Sequence, residues 1–599
     1  MDSVPDRSND RSLGRRTDDC DLLQLCRLPI ENQRSFRMNS QARRLRYTRR
    51  DLLSSVLGAG ALACVGCDSL SSKWSGALPF SGSMLTPNRE IGHWLRVPDT
   101  ERFPSKSDDI RRHASCIIVG CGAAGLSAGY ELLKSGIDDF LILELESSPG
   151  GTSKSTQYKS DSFGSLRAPW GAHYLPLPGT HNEPLRSFLE DCGVLDQNGE
   201  PAEQMLCRDP EERVWANGQW QYGLLPLSDA SSQDISQIER FQKEMSEYAQ
   251  QTDASGKPWF VLPTSQASDD PECLSLDQLS MMQWMQSREF DSPRLLWLVD
   301  HSCRDDYGLR ADQTSAWAGI FYFASRLLKP SSSAESAPVL TWPEGNGFLI
   351  DQLAQRVGDR VEKNQAVLSI RLNEDGVHTL HSFDTQTQKQ VNFTADSVIL
   401  AVPQFIASQL LPDSLGDIKQ KRIEAARSFQ YGSWLVANVA LKDRPKETQP
   451  AMCWDNVRYQ SDSLGYVNAG HQTGRDHGGT VLTWYQALTT DNAAITRTEL
   501  LNLTWQEAAE VVCSDLEVMH ADIRNQIETL DVMVWGHAMI QPIVGSRSNP
   551  MRARASDSIG NIHFAASDLS GVALFEEAFD HGRRAAQAVA QSKVRRKST

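Results

Sequence analysis

Metal-ligand clusters and a disulfide framework are both missing from this sequence. Its twelve cysteines are scattered through 599 residues, and the one Cys-x-x-Cys pair, Cys64 and Cys67, lies in an apolar leader. That density is too low for a small stapled fold, and no spacing suits a metal. Positive charge is short as well. Lys and Arg total 60 against 76 Asp and Glu, and the net charge of -16 argues against a general nucleic-acid binder. The leader's uncharged run from Leu52 to Gly66 is about 15 residues, fewer than the roughly 20 that span a bilayer. A second complete dinucleotide fingerprint is absent: Gly345-Asn-Gly347 and Gly58-Ala-Gly60 both lack the third glycine. That disfavours a reductase holding two nucleotides.

One fingerprint is complete. Cys116-Ile-Ile-Val-Gly-Cys-Gly-Ala-Ala-Gly-Leu-Ser-Ala-Gly129 reads as a buried strand, a tight turn and the start of a helix. Gly120, Gly122 and Gly125 form G-x-G-x-x-G. Gly120 permits the turn, Gly122 lets a pyrophosphate approach the backbone, and Gly125 lets helix pack on strand. The helix start at Ala123 and Ala124 offers free N–H groups to phosphate. A second strand comes next and ends on Glu144, 24 residues after Gly120. That is near the spacing of an acid that binds ribose hydroxyls. The order strand, helix, strand and acid predicts a dinucleotide site.

Ahead of it, residues 1–37 are polar and aperiodic, and are expected to be disordered or untranslated, with Met38 a candidate start. Residues 38–50 hold five arginines and no acid. Thr48-Arg-Arg-Asp-Leu-Leu53 and the apolar run behind it resemble a twin-arginine export signal. The leader, 38–67, closes on two cysteines, Cys64 and Cys67, each resembling a lipoprotein cleavage box; lipidation and plain cleavage both remain open. Residues 68–114 read as a Pro/Ser/Gly-rich linker. Twin-arginine export carries folded proteins, so a tightly held flavin suits this leader better than a freely exchanging nicotinamide.

After Glu144 comes Gly150-Gly151-Thr152. This spacing resembles the extended FAD fingerprint of the flavin amine oxidase superfamily. The resemblance implies that Glu144 binds adenosine ribose and that Gly150 and Gly151 pass the pyrophosphate. Thr152 stands where the family usually has Arg. Trp170-Gly171-Ala172-His173-Tyr174 resembles the segment that runs past the flavin ring, which makes Gly171 and Ala172 cofactor contacts and His173 and Tyr174 catalytic candidates; a packed aromatic turn is the alternative. Trp342-Pro-Glu-Gly-Asn-Gly347 resembles the family's Pro-x-Gly-Gly segment. Val367 matches the position whose backbone meets adenine. Thr394-Ala-Asp-Ser-Val-Ile-Leu-Ala-Val-Pro403 resembles the Ala-Asp-x-Val-Ile-x-Ala-x-Pro strand. Gly560-Asn-Ile-His-Phe-Ala-Ala-Ser-Asp568 resembles the C-terminal FAD motif, which implies cofactor contacts at Ser567, Asp568, Leu574 and Phe575.

On the substrate side, Ala425 to Leu441 resembles the strand that in many amine oxidases carries a lysine near flavin N5. Asn438 is matched to that place, and no lysine lies between Lys421 and Lys442. The acceptor implied is a quinone or redox protein in place of oxygen. Trp484-Tyr485 and Trp535-Gly-His537 are aromatic pairs in the same half, with Trp535 the catalytic candidate.

The expected architecture is α/β with an α+β substrate domain. A discontinuous Rossmann-like FAD-binding domain takes residues 115–180, 340–405 and 530–591. A mixed-sheet substrate domain, 181–339 and 406–529, is inserted, and residues 592–599 form a disordered basic tail. The implied cofactor is FAD and the implied reaction is hydride transfer from an amine or similar C–H donor to flavin N5. Two alternatives stand: a flavin-dependent desaturase or isomerase acting on a lipid or isoprenoid, and a non-catalytic flavin-binding envelope protein. The expected location is periplasmic or tethered to the inner membrane. Replacing Arg49 and Arg50 together by Lys should strand the protein in the cytoplasm; cell fractionation showing unchanged delivery would sink the export reading.

Overall fold

Four consecutive buried residues, Phe140–Leu143, mark a strand covered on both faces. In the computed structural model, which describes residues 78–97, 110–327, 338–446 and 450–598, this strand lies inside a parallel sheet. The leader segments 1–37 and 38–67 lie outside the described residues. The sheet runs Val361–Glu362, Phe140–Leu143, Ile110–Val119, Lys389–Leu400. The last strand divides its outer edge. Val398–Leu400 pairs in parallel with Ile562–Phe564, while the residues before it pair antiparallel with His378–Asp384, which in turn pairs with Gln365–Leu372. A Rossmann-like parallel core and an antiparallel meander therefore share one long strand.

Helix Ala123–Lys134 comes after the first strand and packs against the C-terminal helix Phe575–Ser598. Here the chain needs small residues. A Cβ on Gly125 would stand 1.9 Å from the Gly120 carbonyl oxygen, and one on Gly582 would stand 2.1 Å from that of Ala124. Ser127 Oγ then donates to the Phe579 carbonyl at 2.7 Å. The C-terminal helix continues through the residues expected as a disordered tail, as far as Ser598. Cations at a helix C-terminus interact favourably with the macrodipole.

The second sheet has eight strands, in the order Met84–Leu85, Ile527–Ile540, Tyr431–Leu441, Thr480–Leu488, Tyr466–Asn468, Asp455–Arg458, Glu212–Ala216 and Gln219–Tyr222. Its strand Tyr431–Leu441 is buried along its whole length. Helix Trp505–Met519, opened by a Thr504/Glu507 capping box, covers one face. Helices Ser232–Gln250, Met281–Ser287, Pro293–Tyr307 and Ala316–Ala324 form a separate aromatic-rich core around Phe241, Trp284 and Trp317.

Three boundaries move. The first strand begins at Ile110, ahead of Ser115. Ile527–Ile540 pairs with Tyr431–Leu441, so residues 530–540 belong to the substrate sheet and the last FAD-domain piece starts after them. Residues 78–97, read as linker, form an arm. Met84–Leu85 adds a parallel strand to Val532–Met533, Leu95 is buried, and the Trp94 ring lies 4.8 Å from that of Phe383. Strands of two residues and helices of one turn leave no periodicity to read. Gly582→Ala should push the two helices apart and cost about 1–3 kcal/mol. An unchanged denaturation midpoint in the purified variant would show that the contact is not tight.

Candidate active site

Glu144 is 8% exposed, and its carboxylate ties the glycine turn to the loop behind the second strand. One oxygen accepts the Cys121 N–H at 2.6 Å and the other accepts the Glu146 N–H at 2.9 Å. Burial pushes the carboxyl upward in pKa, against those amides. Gly120 has φ +100°, and a Cβ there would stand 2.5 Å from the Ala401 oxygen. Gly122 and Gly151 face each other, with only glycine backbone within 4 Å of either missing Cβ. No side chain caps the helix start after Gly122, which leaves its first N–H groups for a ligand. These pieces open on one cavity of about 1410 Å³. Ordinary small-molecule sites occupy roughly 300–1,000 Å³, so there is room for a dinucleotide and a second molecule.

The cavity brings together Gly120, Gly122, Ala123, Ala124, Glu144, Gly150, Gly151, Thr152, Gly171, Ala172, Ser567, Asp568, Leu574 and Phe575, with His173, Tyr174 and Trp535. Three expected residues lie outside its lining. Gly125 packs under the turn. Val367 is a core residue beside a break in strand register. Asn438 is fully buried, its Nδ2 donating to the Pro169 carbonyl at 3.2 Å and its Oδ1 accepting from Thr483 Oγ1 at 2.8 Å. Trp434 and Val436, on the same face of that strand, are the residues that reach the cavity.

At the far end of the fold, Asp568 Oδ2 accepts from the Gln404 N–H at 2.7 Å and the Tyr431 hydroxyl at 2.6 Å. Oδ1 is buried without a partner. Burial raises this carboxyl to about 6. Between the cradle and the substrate sheet lies an aromatic chamber. The His173 ring sits 5.1 Å from Tyr485, 5.2 Å from Tyr174 and 5.4 Å from Trp454. Two sheet residues clamp the loop that carries it: Tyr485 donates to the Gly171 carbonyl at 2.9 Å and Trp535 Nε1 to that of Trp170 at 2.7 Å. His537 packs 4.6 Å from Phe405. Burial first, then Arg497, depresses its imidazole to about 3, so the ring is neutral.

Several lining residues carried no sequence expectation. The arm supplies Thr86 to Arg89, Gly92, His93, Leu95 and Arg96, and the Asn88 N–H donates to Glu146 at 2.7 Å. Lys154 is the one lysine among the described lining residues, its ammonium 5.4 Å from the Trp535 ring centroid. Arg326, paired with Asp306, forms a charged wall with Glu576, and Asp305 lines the cavity as well. The Leu574-Phe575-Glu576-Glu577 run was the available signal, but acids in the first turn of a helix are commonplace.

The family model described as flavin-containing amine oxidoreductase matches residues 123–590. Among solved structures, putrescine oxidase bound to putrescine is 17% identical, with a TM-score of 0.58 over 80% of this chain and 99% of that one. A cyclohexylamine oxidase from Brevibacterium oxydans IH-35A is 15% identical, with a TM-score of 0.55 over 80% and 99%. A fatty acid isomerase from P. acnes that produces CLA is 16% identical, with a TM-score of 0.57 over 81% and 99%. At these identities the likeness is one of fold. No curated protein matches the chain.

The cradle fits FAD. Paired glycines leave space beside an uncapped helix start, Glu144 borders the same cavity, and Asp568 Oδ1 is buried without a partner. Folded chain holds a proton on Asp568 to higher pH than unfolded chain does. Flavin-free protein should therefore lose stability as pH rises from about 4 to about 6. Urea midpoints across that range should fall less steeply in Asp568→Asn, and equal slopes would contradict the assignment.

Proposed function

Because the chain belongs to the flavin-containing amine oxidoreductase family, we propose that this FAD-dependent oxidoreductase removes hydride from a C–H bond beside an amine nitrogen. Bound FAD supplies the hydride acceptor, at N5. The observation that carries the reading is the single cavity that runs from the glycine cradle into the aromatic chamber. The chain's own part is to hold, orient and exclude water. Tyr485 and Trp535 fix the Trp170–Gly171 backbone, and His173, Tyr174 and Trp434 wall the chamber. A neutral His537 adds no cation to repel an amine. Arg326, on the charged wall, already pairs with Asp306 at 2.8 Å, which makes it a poor partner for the carboxylate of a lipid.

The acceptor proposed is a quinone or redox protein. Support comes from the strand Tyr431–Leu441, where Trp434 and Val436 face the cavity and no lysine occurs. The export reading of residues 38–67 places the enzyme in the periplasm or on the inner membrane, with lipidation at Cys64 or Cys67 a matter for mass spectrometry. Purified holoenzyme, mixed anaerobically with amines, should lose its flavin absorbance. Air should restore it slowly and a soluble quinone quickly. Flavin that no amine bleaches would discard the substrate class, and fast recovery in air would discard the acceptor.

A further inference from the structure

The arm lays positive charge along one side of the cavity. Arg89, His93 and Arg96 line it from the arm, and Arg497 lines it from helix Ala493–Asn502, which packs on the substrate sheet. Arg89 and Arg96 are exposed, and His93 and Arg497 are half-buried. Arg497 is held by carbonyls: its Nε donates to that of Gly536 at 2.6 Å and its Nη2 to that of Tyr431 at 3.0 Å. The residue after Gly536, His537, packs against Phe405 of helix Gln404–Leu410. The His93–Arg96 turn of the arm meets that same helix.

These cations lack counterions. Among the described residues, none of Arg89, Arg96 and Arg497 forms an ion pair. Burial and then Arg96 lowers the Arg497 guanidinium in pKa, and burial, Arg96 and Arg89 lower His93. Arg497, Arg96 and His93 add to the burial that depresses His537. Only like charges act on these three groups. The neighbouring acids do not offset them. Glu90, on the arm, does not line the cavity; Glu146 accepts the Asn88 N–H at 2.7 Å; Asp491 pairs with Arg310 at 2.8 Å. Like charges gathered at a cavity rim repel one another, and an arriving anion relieves that repulsion.

We propose that Arg89, Arg96 and Arg497 form a docking patch for the acidic face of the redox protein that takes electrons from this enzyme. The substrate is the wrong occupant, because an amine is a cation in bulk water and this rim repels it. The dinucleotide is a weaker claimant. Its cradle is built from glycine backbone and uncapped N–H groups, whereas Arg497 stands beside the substrate sheet and Arg89 and Arg96 are exposed. Exposed cations can meet the surface carboxylates of a protein, and such complementarity steers the encounter and fixes its orientation. Reoxidation then sends two electrons to two carrier molecules, one to each, and one proton to water. The inference rests on the flavin and acceptor readings above.

Carriers of opposite charge test it. Photoreduced holoenzyme, which needs no amine, is mixed anaerobically with plastocyanin, an acidic copper protein, with basic cytochrome c and with ferricyanide. Each is run at about 10 mM and about 300 mM salt, which screens surface charge. The whole chain carries -16 and would repel an acidic carrier, so the sign of the salt effect isolates the patch. Reoxidation by plastocyanin should slow about tenfold as salt rises, and reoxidation by cytochrome c should not. Arg89→Gln combined with Arg96→Gln should bring the low-salt plastocyanin rate down to the high-salt one, and Arg89→Lys with Arg96→Lys should keep it high. A plastocyanin rate that ignores salt or rises with it, or a slope that survives the double Gln variant, would overturn the patch. So would a slope for ferricyanide alone, which would leave a site for small anions. A double Gln variant that binds FAD about tenfold more weakly and keeps its salt slope would hand the arginines to the dinucleotide. Fast recovery in air, beside the expected slope, would overturn the acceptor reading and leave the patch standing.

Discussion

Gly125 faces the Gly120 carbonyl, and Gly582 faces that of Ala124, at distances where a side-chain carbon has no room. Packing energy and cofactor geometry meet in these contacts. The first holds the helix start tight under the turn, so its N–H groups point to one place. The second seats the C-terminal helix on the first helix. That placement carries Asp568, Leu574, Phe575 and Glu576 to the cavity from more than four hundred residues away in sequence. The nucleotide half of the site is local chemistry; the other half arrives because two helices can touch.

The substrate sheet contributes by other means. Its strands are too buried to bring many charges, so it works through indole and phenol donors. Tyr485 and Trp535 each bury an aromatic face and direct the polar tip to a backbone carbonyl of the Trp170–Gly171 segment. The cofactor-side loop is thereby pinned from the substrate side. A shift of the substrate sheet would move Gly171 with it.

How much was legible in the sequence depends on range. Strand, glycine turn, helix and terminal acid at 116–144 each depend on neighbours within a few residues, and all could be read. So could the α/β class, from the apolar runs at Phe140–Leu143 and Ser397–Leu400. Asn438 illustrates a limit. Alternation along a strand places 434, 436 and 438 on one face, but nothing in it tells where the cavity stops, and Pro169 closes it before Asn438. Glu576 illustrates another, because helix starts attract acids whether or not a ligand is near. The arm illustrates a third: a two-residue strand is specified by its partner, and Val532–Met533 lies almost at the other end of the chain.

That arm also couples the two sheets. It joins distant parts of the chain: the Ser83 N–H donates to Asp531 across 448 residues, and the Asn88 N–H donates to Glu146. Its Thr86 to Arg96 stretch lines the cavity, while Met84–Leu85 pairs with Val532–Met533 of the substrate sheet. Displacing that edge strand would therefore also disturb the cavity lining, so a change at the rim of the substrate sheet reaches the cradle through the arm.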